Sequence, residues 1–222
     1  MEDLLDALRK GGKKGLSDTA VLCCVFLCKA SMFANKTDYS ALHFLIPDIQ
    51  NTLQERLFAN VASGTTDQGY SFLYLTVDFL TSCFRLNARN FTSYFVPLCF
   101  NSSNQVQGSK SSKEQQLLQA ASLRLAITRA ILRVAQERDP NLASSVPYLA
   151  PELRTLFQTL HQIEKETEEK VASSGATTPG GKSGPAIAYG YSTNAETLVV
   201  VMEIFHAAPD LAFYNTSPMP AV

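Results

Sequence analysis

The chain has 222 residues, 45% hydrophobic and 18% charged, which supplies apolar matter for a core and argues against global disorder. Its 19 Lys and Arg stand against 20 Asp and Glu, a formal net charge of -1, so no basic surface for nucleic acid or anionic lipid is implied. Five cysteines at 23, 24, 28, 83 and 99 are an odd number with three crowded together, which does not make a disulfide framework.

Residues 2–9 (EDLLDALR) form a short amphipathic helix that Gly11 and Gly12 end. Ser17 caps the next, running to about Ala34; through Cys28 it is apolar on nearly all sides, which predicts a central position. Its AVLCCVFLC run (20–28) holds three cysteines, read as reduced core thiols. Residues 9–34 have the outline of a signal peptide, and four sequons (Asn35, Asn90, Asn101, Asn215) would suit secretion. Against that stand Glu2, Asp3 and Asp6 in the leading segment, Asp18 at the edge of the apolar run, and bulky Met32 and Phe33 where small residues belong. The run is also well short of the roughly 20 residues of a membrane span. The expectation is an intracellular protein, in cytoplasm or nucleus.

A short helix over 38–45 and a second from Pro47 to Ala62 follow, the latter with Ile49, Leu53, Leu57 and Val61 on one stripe. Thr65 and Gln68 make a capping box for a helix over 66–86, with Tyr70, Leu73, Val77 and Leu80 on one buried face and Phe72, Leu75, Phe79 and Phe84 beside it. Asn87 ends it, and residues 88–100 form a shorter helix bent or stopped at Pro97. Residues 101–112 are a flexible loop. Ser111 with Glu114, or Ser112 with Gln115, caps the longest helix, 113–138, whose core stripe holds Leu123, Ile127, Ala130, Ile131 and Val134. Asp139 and Pro140 stop it. A connector over 140–150 leads to a helix over 151–172 with Pro151 at its first position. There Leu153, Leu156, Phe157, Leu160 and Ile163 are buried, and EKETEEK (164–170) is solvated. Residues 173–185 are a linker by composition. Thr193 and Glu196 cap a last helix, 194–208, favoured over a strand through VVV (199–201), and a Pro-rich tail follows.

The expected fold class is all-α: stacked antiparallel helix pairs, either a HEAT- or armadillo-like α-solenoid segment or an irregular helical bundle. The intervals between the starts of the helices at 17, 66 and 113, about 49 and 47 residues, lie near that repeat length, although no repeat consensus occurs. The domain division is 1–172 as the helical stack, 173–185 as linker and 186–222 as a C-terminal helix and tail that docks back, expected on the helix 151–172. Seven strongly apolar side chains between Leu198 and Phe205 require burial.

Candidate sites are few. GATTPGGKS (175–183) echoes a phosphate-binding loop, but Ala176 stands where the first glycine belongs, a helix precedes it where a strand should, and Pro185 follows. The cluster Arg9, Lys10, Lys13 and Lys14 reads as a solvated arm diluted by nearby acids. Arg124, Arg129, Arg133 and Arg138 spread around the longest helix as surface charges. Of these, Arg129 and Arg133, four apart, are the one candidate grip for an acidic partner. No G-x-S-x-G occurs, and His43, His161 and His206 lie far from any cysteine pair, so neither hydrolytic nor zinc chemistry is indicated. The expectation is a non-catalytic helical scaffold that binds other proteins, with no catalytic residue, metal or cofactor. The alternatives are a secreted or membrane-associated helical protein, and an enzyme whose site is assembled from scattered residues.

Overall fold

The computed structural model describes residues 18–34, 46–63, 67–100, 121–174 and 185–214. Among these the chain is all-helical. The elements are α1 (Asp18–Phe33), α2 (Ile46–Ser63), α3 (Asp67–Leu86), α4 (Ala88–Tyr94), a 3-10 turn (Val96–Cys99), α5 (Ala121–Gln136), α6 (Pro140–Ser174), α7 (Pro185–Ala207) and α8 (Pro209–Phe213). The expected helices over 2–9 and 38–45, the caps at Ser17, Thr65 and Ser111 or Ser112, the loop 101–112 and most of the 173–185 linker lie outside the described residues. No described helix is long and apolar enough to cross a membrane.

Helices α1, α3, α5 and α7 form a row in which each packs on the next, and α2 lies against α3 and α5 and reaches α7. The apolar stripes explain the row. Ile49, Leu53 and Leu57 of α2, Leu73, Val77 and Leu80 of α3, and Leu123, Ile127, Ala130, Ile131 and Val134 of α5 are all buried in one core. Arg56 of α2 fastens a corner: its guanidinium donates to Asp18 of α1 at 2.5 Å and lies over the Phe72 ring of α3, 4.5 Å from the centroid. Asn87 separates α3 from α4, its side chain accepting the Asn90 N–H at 2.9 Å as an N-cap. Phe84, Phe91 and Phe95 then stack in sequence, at centroid distances of 5.3 and 5.1 Å, and draw α4 down onto α3.

Helix α5 stops where Asp139 and Pro140 predict, and the backbone shows how. The Asp139 N–H bonds to the Val134 carbonyl and the Arg138 N–H to that of Ala135, a Schellman pair. This requires a left-handed residue at Arg138 (φ 53°), a position that glycine usually holds. Arg85 of α3 braces the corner, donating to Asp139 at 3.0 Å and to Glu137.

Several expectations need correction. The first concerns α1, which is not central: it stands at the end of the row, packed chiefly on α3, and its surplus apolar side chains Leu22 and Phe26 face outward. Tyr70 is likewise exposed rather than part of the buried face of α3. Second, the connector over 140–150 is helix. Helix α6 starts at Pro140 and runs unbroken through Pro147 and Pro151. Each internal proline forfeits a hydrogen bond and costs about 3 kcal/mol. Leu142, Leu149, Leu153, Leu156 and Leu160, buried at heptad-like spacing, outweigh that at about 1.5–3 kcal/mol each.

Third, α7 starts at Pro185, so Thr193 is an interior residue whose carbonyl accepts the Thr197 hydroxyl at 2.7 Å rather than a cap. Fourth, α7 docks within the chain, but its main neighbour is α5 and its second is α6. It buries Leu198, Val200, Val201 and Ile204, and Phe205 meets Phe157 of α6 at 6.0 Å.

Candidate functional site

Helical periodicity brings three stripes to one place. Ser71, Tyr74, Leu75 and Asp78 of α3 recur at i, i+3, i+4 and i+7, as do Arg129, Leu132, Arg133 and Gln136 of α5. With Val200 and Glu203 of α7 they line a groove of about 640 Å³. Helix α5 packs between the other two, so it forms the floor and they form the walls. The eight residues of floor from Arg129 to Gln136 rise about 10 Å, two helical turns. Leu132 on the floor and Leu75, Val77 and Val200 on the walls give the groove an apolar lining. Of the lining residues Tyr74 is large and exposed, and Tyr70, Val199 and Met202 are exposed elsewhere on the same two helices.

Its charges are largely answered from within the chain. Asp78 accepts from Arg133 at 3.0 Å through one oxygen and from Lys29 of α1 at 3.4 Å through the other. Arg133 also donates to Glu137 at 3.0 Å, one turn on. Arg129 donates to Glu196 of α7, while its Nε is buried with no hydrogen-bond partner. Glu203 is exposed and makes no ion pair among the described residues.

The structure thus brings the two candidate arginines together on one groove floor, each already held by carboxylates of the same chain. The walls were not foreseen. Asp78, Tyr74 and Glu203 come from helices far away in sequence, and only the i, i+3, i+4, i+7 recurrence within α3 hints at them. GATTPGGKS (175–183) lies outside the described residues, as does His43. His161 is exposed and stacks on Phe157 with centroids 6.0 Å apart, and His206 is exposed at the end of α7.

The largest departure is Arg124, read above as a surface charge and in fact wholly buried. Its Nε donates to the Cys99 carbonyl at 2.7 Å, and an Nη donates to the Asn194 side-chain oxygen. One guanidinium therefore ties the 3-10 turn, α5 and α7 together. Burial lowers its pKa to about 10, with Cys99 pulling the other way. The Cys99 thiol is pushed up to about 12 by burial, against the lowering effect of Arg124. No local pattern marks such an arginine, because its acceptors lie 25 and 70 residues away.

Among the described residues no three or more His, Cys, Asp or Glu gather where they could hold a metal ion. No family model matches the chain, and no solved structure matches it.

Proposed function

We propose that this chain is a non-catalytic helical scaffold that binds other proteins through the α3–α5–α7 groove, as a HEAT- or armadillo-like α-solenoid segment. The observation that carries the reading is the convergence of three helical stripes on one trough lined by Leu75, Val77, Leu132 and Val200, with the exposed Tyr74 at its side. That is the shape into which an amphipathic helix lays its apolar face. The row of odd-numbered helices supports the solenoid part, since alternate helices of stacked pairs are neighbours in such folds. Arg129 and Arg133 hold the floor rather than greet the partner, because each is already ion-paired to a carboxylate of the chain. The charge left for a partner is Glu203, so the fitting occupant is a helix with apolar residues at i, i+3 or i+4 and a Lys or Arg beside them. An intracellular setting belongs to the same proposal and accords with five unpaired thiols.

Selection from a phage-displayed peptide library on the immobilised chain tests this. The expected result is a set of amphipathic basic peptides whose binding is lost with Leu132→Asp and weakened about tenfold by Glu203→Lys. A library that yields no peptide, or peptides indifferent to both substitutions, would refute it.

A further inference from the structure

Four of the five cysteines meet where α1 packs on α3. Cys28 Sγ and Cys83 Sγ face each other across the two helices at 3.7 Å, both wholly buried and 55 residues apart in sequence. Cys24 lies one turn before Cys28 on the same face of α1 and is buried, and Cys23 beside it is partly exposed. Two sulfurs in contact need close by less than about 1 Å each to reach the 2.05 Å of a bond, a shift that small χ1 rotations supply. Nothing in the groove uses these thiols.

We infer that Cys28 and Cys83 form a modification site, a dithiol that a hydroperoxide oxidises to a disulfide joining α1 to α3. The chemistry balances with one peroxide. The Cys28 sulfur attacks a peroxide oxygen, the O–O bond breaks, and the leaving hydroxide takes the Cys28 proton to give water and a sulfenic acid. The Cys83 sulfur then attacks the sulfenic sulfur and the S–O bond breaks. The departing hydroxide takes the Cys83 proton as a second water. Both thiols are oxidised and both peroxide oxygens reduced. Burial and the neighbouring Cys28 hold the Cys83 thiol well above the ordinary range, so little of it is thiolate. Burial also makes the reaction slow, so it records sustained rather than brief exposure. The bond would fix the end of the helical row to its neighbour, closing a loop long enough to restrict the unfolded chain.

The full-length chain is exposed to hydrogen peroxide, its remaining thiols are alkylated in denaturant, and the digest is read by mass spectrometry without reduction. The expected product is a linked pair of peptides containing Cys28 and Cys83, with Cys99 still alkylated. A rise in Tm of about 5 °C or more accompanies it and reverses with dithiothreitol. Cys83→Ala should show neither effect, and the wild-type peptide map stands on its own if that variant does not fold. Cys28 and Cys83 both recovered alkylated while Cys23 is oxidised would overturn the inference. So would a bridge that uses Cys23 or joins two chains.

Discussion

Arg124 and Asn194 offer the sharpest test of how α7 is held. Asn194→Leu keeps the branched outline of the side chain but takes from the buried guanidinium an acceptor worth about 1.5–3 kcal/mol. It also removes the Asn194 Nδ2, buried without a partner, which returns about 1 kcal/mol; the net loss is roughly 0.5–2 kcal/mol. Arg124→Met strips the Cys99 carbonyl and the Asn194 oxygen of their donors, at about 1–3 kcal/mol each. It also abolishes the burial of a charge whose pKa burial lowers to about 10, which offsets part of that loss. In the double variant neither side chain is left waiting for the other, so it should lose less than the sum of the singles by about 2 kcal/mol. Urea unfolding of the four proteins, compared at equal m, measures this. A coupling within about 0.5 kcal/mol of zero would mean that the guanidinium does not depend on Asn194, and the account of α7 docking would fall.

Ile131→Asp places an unpaired charge at a fully buried position of α5 and should lower stability by about 3 kcal/mol or more; an unchanged urea midpoint would contradict the burial. Arg138→Gly relieves a left-handed residue and should stabilise by about 1 kcal/mol, whereas a lower Tm would show that the arginine side chain compensates for the strain. Alkaline pH should weaken the fold through the thiols. Cys24 and Cys99 are pushed up to about 12 from 9.0, mainly by burial, so the folded state keeps protons that the unfolded chain releases. Their contribution is intact below pH 9 and is lost as pH rises toward 12, about 1.4 kcal/mol per thiol at pH 10. Arg124 acts in the opposite direction near and above pH 10 but is present in both proteins. Comparing Cys99→Ala with the wild type at pH 8 and 10 therefore isolates the Cys99 thiol, and the variant should fall less. Equal falls would refute the assignment.

The helices with one apolar stripe were readable because period and burial coincide. Ile49, Leu53 and Leu57 in α2, and Ile127, Ile131 and Val134 in α5, sit where a 3.6-residue repeat puts them. Reading failed where a local rule met a stronger tertiary force. Prolines 147 and 151 predict a break, yet a row of buried leucines carries α6 through them. Thr193 and Glu196 imitate a cap, yet both serve contacts inside α7 or across to α5. An all-round apolar α1 implied the centre of the stack, but composition does not say which neighbours a helix has, and Phe26 is left outward. Two candidate arginines were found by their spacing. The groove around them was not, because its walls come from residues some 50 positions before and 70 after.

Helix α7 makes the stability of the fold and the proposed binding inseparable. Its inner side chains, Val201 and Ile204 among them, complete the core, while Val200 and Glu203 form one wall of the groove. A chain in which α7 has come away therefore loses core and groove together, and Arg124 loses Asn194 in the same event. It follows that a helix seated in the groove binds only the docked state and pulls the equilibrium toward it. At about 100 times its Kd such a ligand adds about 2.7 kcal/mol of apparent stability. Asn194→Leu, which loosens α7 without touching the groove lining, should then weaken binding only as far as it populates the undocked state. A loss of affinity in a variant whose α7 remains fully docked would place the partner elsewhere on the molecule.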